Sequence, residues 1–307
     1  MVFYFQSRTR IADLYYHFWQ KYGREASFFP FISKEKDHYL AHYVLPREWH
    51  RHLQPFQFLK EGDHVIQVGF HDQYIYNGIS HPLIISGIIG ESGHVLSIDP
   101  DKTNTEAMNR YKDICQINNI SVLETGVWNE KATLEFLLFD DYTSSNTIAD
   151  VFSGFRDGAE RRWGKKRLEE KSTVRSIEVE TLDSILENKI SISRVDFVNI
   201  TVNGAEPYVL EGAKKTLETN DDIKIAFPLA NVSPATLDDL NAMGFLIALA
   251  DAPHRPWEKK QFLFACAVRE DPDFLFSHGF HQVSVRAIST LSDDGVGGFV
   301  IEDPNGS

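Results

Sequence analysis

The sequence predicts an α/β protein built on a doubly wound, mostly parallel sheet, with an N-terminal helical extension. Three observations predict it. Apolar runs of strand length recur from residue 61 onward, helix-length segments separate most of them, and the first two runs end in turn-forming residues, HVIQVG in glycine and GHVLSIDP in Asp-Pro. Strands alternating with helices fold as right-handed crossovers into a parallel sheet.

The elements follow in order. Residues 1–60 form the extension, where IADLYYHFWQKY places Leu14, Tyr15 and Phe18 on one helical face and LPREWHRHLQPFQFL gives a second short helix. That face suits packing on the main domain or on a second subunit, so a homodimer stays open. Residues 61–269 form the main domain. HVIQVG is its first strand, HPLIISGIIG a helix, GHVLSIDPD a strand, NTEAMNRYKDICQIN a helix, and ISVLETGVW and ATLEFLLF two further strands. VDFVNITVNGAEPYVLEGAKKTLE at 195–218 reads as strand, tight turn and amphipathic helix. IKIAFPL, PATLDDLNAMG, FLIALA and QFLFACAV complete the alternation. The polar stretch 140–173 interrupts it and reads as a functional or disordered loop. The tail, 270–307, holds FHQVSVRAI and GGFVIED, which read as added strands.

Composition narrows the function. With 42% hydrophobic and 24% charged residues the chain is ordinary globular material. A net charge of −13 argues against a general nucleic-acid binder, since phosphate neutralisation needs surplus lysine and arginine. RRWGKKRLEEK at 161–171 is the local exception, a solvated face or an anion contact. The first residues carry no long apolar run, so neither a signal peptide nor a membrane span is expected and the cytoplasm is the default. Two cysteines make no disulfide framework. The 12 histidines include the pairs His38/His42 and His50/His52, but no third ligand at motif spacing, so no metal is expected.

In such a sheet, ligands bind outside the carboxyl ends of the strands near the point where strand order reverses. Three stretches carry chemistry there. In VGFHDQY, Gly69 and the following Phe70 let backbone approach a ligand closely, although the run is no GxGxxG fingerprint. His71 is the best-placed general base or a solvent-exposed loop residue, with His254 a second candidate. Asp72 is an added acid in the same loop or a turn residue. Asp99 ends the second strand, some 30 residues after Gly69, where a carboxylate accepts from both hydroxyls of a ribose. Standing alone it reads equally as a turn residue before Pro100. In the third stretch, Asn199, Thr201 and Asn203 are neutral at the strand end. Glu206, with Gly204 as cap and Pro207 in the first turn, favours the helix dipole or contacts a ligand.

The residues GAEP-x-VLEGA, with IEVETLDSIL upstream, resemble the FkbM family of S-adenosylmethionine-dependent methyltransferases. HVIQVGFHDQ is similar to that family's first cofactor loop, SIDPD to its ribose-binding strand end, and LETGVWNEKATLEF to its third strand; the resemblance covers about residues 55–268. It implies a class I methyltransferase, Rossmann-like fold and methyl transfer to a hydroxyl of a saccharide or small natural product. It places S-adenosylmethionine across Gln67, Gly69, Phe70, Asp72, Asp99, Gly126, Val127 and Glu206, and the acceptor near His71, Thr201, Asn203 and Asn231 under the 140–173 loop. The chain departs from the pattern at strand ends. Gln67 stands for an acid, Gln73 for a glycine, Asn199, Thr201 and Asn203 for lysine, aspartate and glutamate, and Phe227 and Pro228 near a glutamate–histidine pair. An amide keeps a hydrogen bond worth about 1 kcal/mol where a charge-assisted one is worth roughly 1.5–3. Three readings therefore stand: an O-methyltransferase, a methyltransferase-like binding or assembly module without catalysis, and a nicotinamide-dependent oxidoreductase that lacks the glycine fingerprint.

Overall fold

A computed structural model of the chain describes residues 56–72, 80–139, 146–153, 172–190, 192, 194–228, 232–250, 264–269, 280–282, 288–291 and 298–301. The expected helices before residue 56, the basic run at 161–171, Gln73, Asn231 and His254 lie outside the described residues.

The chain enters through a 3-10 turn, Phe56–Phe58, and then alternates β1 (His64–Val68), α1 (His81–Ile89), β2 (His94–Asp99), α2 (Lys102–Cys115) and β3 (Ile120–Glu124). Next come β4 (Gly126–Val127), β5 (Ala132–Phe139), β6 (Thr147–Ile148), α3 (Ala149–Ser153) and β7 (Ser172–Glu180). The alternation resumes with α4 (Leu182–Asn188), β8 (Phe197–Ile200), α5 (Glu206–Glu211), α6 (Lys214–Thr219), β9 (Lys224–Pro228) and α7 (Pro234–Ala242). It closes with β10 (Leu246–Ala250), β11 (Phe264–Val268), β12 (Phe280–Gln282), β13 (Ile288–Leu291) and β14 (Gly298–Ile301).

The main sheet has eight strands in the order β12-β10-β11-β9-β8-β1-β2-β3. β3, β2, β1, β8 and β9 run parallel, whereas β11 is antiparallel to β9 and to β10, and β12 is antiparallel to β10. Both faces are covered, which explains why the central strands read as unbroken apolar runs. Val65, Val95 and Phe197 pack under Leu83, Ile85 and Met108 of α1 and α2. Ile66, Leu96, Val198 and Ile225 pack under Leu182, Val209, Leu217 and Leu237 of α4 to α7. Strand order reverses between β1 and β8, where Val68 lies beside Ile200. The first strand of the tail, β12, extends the main sheet, and β13 pairs with β14 as a separate ribbon. Among the described residues no helix is long and apolar enough to cross a membrane.

Two parts of the sequence reading need correction. ATLEFLLF does not join the main sheet. It is β5 of a second, four-stranded sheet, β4-β7-β5-β6, that grows from the end of β3 and has its own core of Phe136, Ile148, Ile177 and Val179. No helix separates β3 from β5, so the chain has no crossover to return it to the parallel sheet. The helix after β8 is also not continuous. It breaks between α5 and α6 at Gly212, where a Cβ would lie 2.0 Å from the Trp128 carbonyl oxygen. The Trp128 ring stacks on Tyr208 of α5 at 3.8 Å between centroids, so the turn leading into β5 is wedged against the break.

Candidate functional site

At the reversal point the ends of β1, β2 and β8 and the inner face of the second sheet enclose a cleft of about 260 Å³. That is near the low end of small-molecule sites, which span roughly 300–1,000 Å³. Gly69, Phe70, His71, Asp99, Gly126, Val127, Thr201, Asn203 and Glu206 all line it. Apolar walls come from Ile98 on one side and from Phe136, Ile148 and Val179 on the other.

Gly69 turns the chain off β1 with φ +79°, and its N–H donates to the Ile98 carbonyl at 2.8 Å. A Cβ there would lie 2.2 Å from the Thr201 carbonyl oxygen, so only glycine fits between β1 and β8.

Asp99 closes β2 and is 5% exposed. Its Oδ2 accepts from the Phe70 N–H at 2.9 Å, and its Oδ1 from the Asp101 N–H at 2.8 Å and Asn104 Nδ2 at 3.0 Å. A carboxylate has about four acceptor positions, so capacity for one further donor remains. Burial pushes the carboxyl up to about 7, against the downward pull of the three donors. Asn104 clamps the loop as well, donating to the Phe70 carbonyl at 2.8 Å and accepting from the Asp72 N–H at 2.9 Å. His71 stands in the same loop, and burial pushes its imidazole down to about 4 despite Asp72 beside it.

Asn146 and Thr147 tie the second sheet over the cleft. Asn146 Nδ2 donates to Asp101 at 2.9 Å, its Oδ1 accepts from the Phe139 N–H at 2.9 Å, and its carbonyl accepts from Asn203 Nδ2 at 3.0 Å. Asp101 also caps α2 by accepting from the Thr103 N–H. Asn203 has φ +52°, a left-handed conformation that asparagine tolerates better than most residues, and its carbonyl accepts from the Thr147 hydroxyl at 2.9 Å.

Glu206 is fully buried at the start of α5. Its carboxylate turns back on the preceding turn, accepting from the Gly204 N–H at 2.7 Å and the Val202 N–H at 3.2 Å. The helix cap is Ala205 rather than Gly204, because Gly204 has φ +100° and lies one residue outside the helix.

Two expected site residues are not on the cleft wall. Asp72 is held through its backbone N–H, which donates to Asn104. Gln67 is fully buried on the α1 face of the sheet, one residue before the strand end. Its Nε2 donates to the Gly69 carbonyl at 2.6 Å and the Thr201 hydroxyl at 3.1 Å, and its Oε1 accepts from Asn199 Nδ2 at 2.7 Å. The period-2 alternation of a strand explains this, because the buried Val68 takes the place on the cleft and Gln67 faces the opposite layer. Sequence reasoning missed Asn104, Asn146 and His81, all three on the wall. Each sits in a segment with an ordinary local reading: a first helical turn, a polar insertion and a helix start. Among the described residues no three His, Cys, Asp or Glu side chains are placed to hold a metal.

Several known proteins share features with this chain. A family model described as Methyltransferase FkbM domain matches residues 69–245. No curated protein matches the sequence. Among solved structures, an FkbM methyltransferase from Methylobacillus flagellatus KT aligns at 15% identity and TM-score 0.42, over 77% of this chain and 55% of that one. The chain thus spans about half the length of that relative. The fibrillarin of Aeropyrum pernix, solved with natively bound S-adenosyl-L-methionine, aligns at 12% identity and TM-score 0.36 over 75% and 76% of the two chains. A SAM-dependent methyltransferase from Aquifex aeolicus aligns at 14% identity and TM-score 0.36 over 75% and 91%.

Proposed function

The chain belongs to the FkbM methyltransferase domain family, and from that premise we propose that it transfers a methyl group from S-adenosylmethionine to a hydroxyl of a small acceptor such as a saccharide. The observation that carries this reading is the placement of Gly69, Asp99, Gly126, Thr201 and Glu206 around one cleft at the reversal of strand order.

The residues fit the cofactor. Asp99 keeps acceptor capacity for a ribose hydroxyl, and Ile98, Val127 and Ile148 give an apolar slot suited to a purine. Bound there, the cofactor supplies an electrophilic methyl on a sulfonium, and alignment with the attacking oxygen does much of the work. Thr201 and Asn203 line the end of the cleft beyond β8 and help position the acceptor. His71 is neutral at physiological pH because burial disfavours its charged form, so its ring accepts a hydrogen bond from the acceptor hydroxyl and orients it. The second sheet, held by Asn146, keeps water from the sulfonium.

A second reading keeps the fold without the chemistry, as a binding or assembly module. It is favoured by the Thr201 hydroxyl, which is engaged with the Gly69 carbonyl at 2.8 Å, and by the Asn203 amide, which is engaged with Asn146. Titration calorimetry with S-adenosylmethionine, followed by methyl-transfer assays on a saccharide and polyol panel, separates the two. Binding with transfer supports the enzyme. Binding without transfer to any acceptor supports the module, and no binding at millimolar concentration sinks both cofactor roles.

A further inference from the structure

His81, the first residue of α1, lines the cleft, yet nothing in the proposed chemistry uses it. Its Nδ1 lies 3.1 Å from Asn199 Nδ2, and the edge of the ring meets Phe56 at 5.5 Å between centroids. Which partner donates can be settled by following the hydrogen bonds from a fixed point.

That fixed point is the Gly69 carbonyl, which can only accept. The Thr201 hydroxyl donates to it, and so does the side-chain amide of Gln67 at 2.6 Å. Turning the Gln67 amide over would set two carbonyl oxygens against each other, so Nε2 faces Gly69 and Oε1 faces Asn199. Asn199 must then present its NH₂ group to Gln67. Its two hydrogens go one to Gln67 Oε1 and one to His81 Nδ1. The buried Asn199 Oδ1 is left with no hydrogen-bond partner among the described residues, and a flip that gave it one would face Oδ1 with Gln67 Oε1. The orphaned oxygen is therefore evidence of how firmly the orientation is imposed.

Since Asn199 donates, His81 Nδ1 accepts, and the ring carries its proton on Nε2. Resting on the methyltransferase reading of this cleft, we propose that the chain Gly69–Gln67–Asn199 holds His81 as the Nε2–H tautomer, so that it offers the bound ligand a hydrogen-bond donor. The acceptor is an oxygen, either the carboxylate of the cofactor's methionine portion or an oxygen of the methyl acceptor. His71 and His81 then divide the work, one accepting a hydrogen bond and the other donating one. Asn199 and Gln67 act as positioning residues through His81, in the way a second partner fixes the tautomer of a functional histidine.

Long-range nitrogen–proton NMR of the full chain, labelled at histidine and free of ligand, reads the tautomer, and His81→Gln identifies the signals. The expected result is a protonated Nε2 and a bare Nδ1 in the native protein. Asn199→Asp replaces the donor by an acceptor and should move the proton to Nδ1, and Gln67→Leu should loosen the preference into a mixture. A native ring protonated at Nδ1 overturns the proposal without use of either variant. S-adenosylhomocysteine is then added, with its binding followed separately by calorimetry. An Nε2 signal that moves with the nucleoside alone assigns the donor to the cofactor carboxylate. A signal that moves only when a panel of methyl glycosides is added as well assigns it to the acceptor. Movement with neither, in protein that binds the nucleoside, overturns the donor role. Failure to bind the nucleoside overturns the methyltransferase reading and the donor role with it, while the tautomer stands on the unliganded spectrum.

Discussion

At the end of β2, Asp99 is an ionisable group buried among three donors with acceptor capacity to spare. One strand away, at the ends of β1 and β8, Gln67, Asn199 and Thr201 carry no charge and are occupied chiefly with one another and with the Gly69 carbonyl. The first arrangement keeps an electrostatic handle in a dry place, at a cost visible in the raised pKa of Asp99. The second uses neutral dipoles to fix geometry. The contrast teaches that the cleft offers charge on its β2 side and fixed orientation on its β1–β8 side.

The largest expected effect removes the hinge between the two sides. Gly69→Ala should lower stability by more than about 3 kcal/mol, because it adds a left-handed strain to a backbone clash at 2.2 Å. Thermal unfolding checks it, and a native-like melting temperature would show that β1 and β8 do not approach as described.

Next comes the side with charge. Asp99→Ala orphans the Phe70 and Asp101 N–H groups and removes one of the two bonds that Asn104 Nδ2 donates, which should cost about 2–4 kcal/mol and at least tenfold in affinity for S-adenosylhomocysteine. Gln67→Leu should cost about 1–3 kcal/mol of stability through the orphaned amide of Asn199, but change that affinity less than about threefold. Denaturant titration and calorimetry on both variants break the comparison if their affinity losses are equal.

Titration sharpens it further. Asp99 has a folded pKa raised to about 7, so its contribution to stability is present below the unfolded value and is lost as pH rises through 7. His71 has a folded pKa depressed to about 4, so its contribution is present above its unfolded value and is lost as pH falls toward 4. The two oppose each other between these limits. His71→Gln should therefore leave a protein that gains stability, relative to native, as pH falls from 7 to 4, measured by denaturant midpoints across that window. Cofactor affinity should fall roughly fivefold from pH 7 to pH 6 as the Asp99 carboxylate protonates.

The smallest effect belongs to the lid. Asn146→Ala removes two side-chain hydrogen bonds, the one to Asp101 that ties the second sheet down and the one from the Phe139 N–H within that sheet, and should cost about 1–2 kcal/mol. Hydrogen exchange should rise in β5 and β7 while β1 and β8 stay protected. Equal loosening of both sheets would show that the lid is not a separate unit.

Much of the frame was legible in the sequence because it is local. HVIQVG and GHVLSIDP show buried strands by apolar runs and ends by glycine and Asp-Pro, and GAEPYVLEGA shows a strand-to-helix turn with its packing face. Nine of the expected site residues fall on one cleft because strand ends bring them together whatever lies between. Other features depend on partners distant in sequence. Nothing near Asn104 or Asn146 announces that each bonds to residues about 30 or more positions away, and Gly212 breaks a helix because of Trp128. The second sheet escaped for the same reason, since β5 pairs with β7 across the polar stretch that interrupts the alternation. Gln67 stands off the cleft wall because the alternation of β1 buries it on the opposite face, although it lies one residue from the strand end.

The central claim is that this cleft binds S-adenosylmethionine through Asp99, and calorimetry with S-adenosylhomocysteine at pH 7 and pH 6 tests it most directly. The account predicts binding to the native protein that weakens at the lower pH, and at least tenfold weaker binding to Asp99→Ala at pH 7. No binding at millimolar concentration, or binding indifferent to both pH and Asp99, would contradict it.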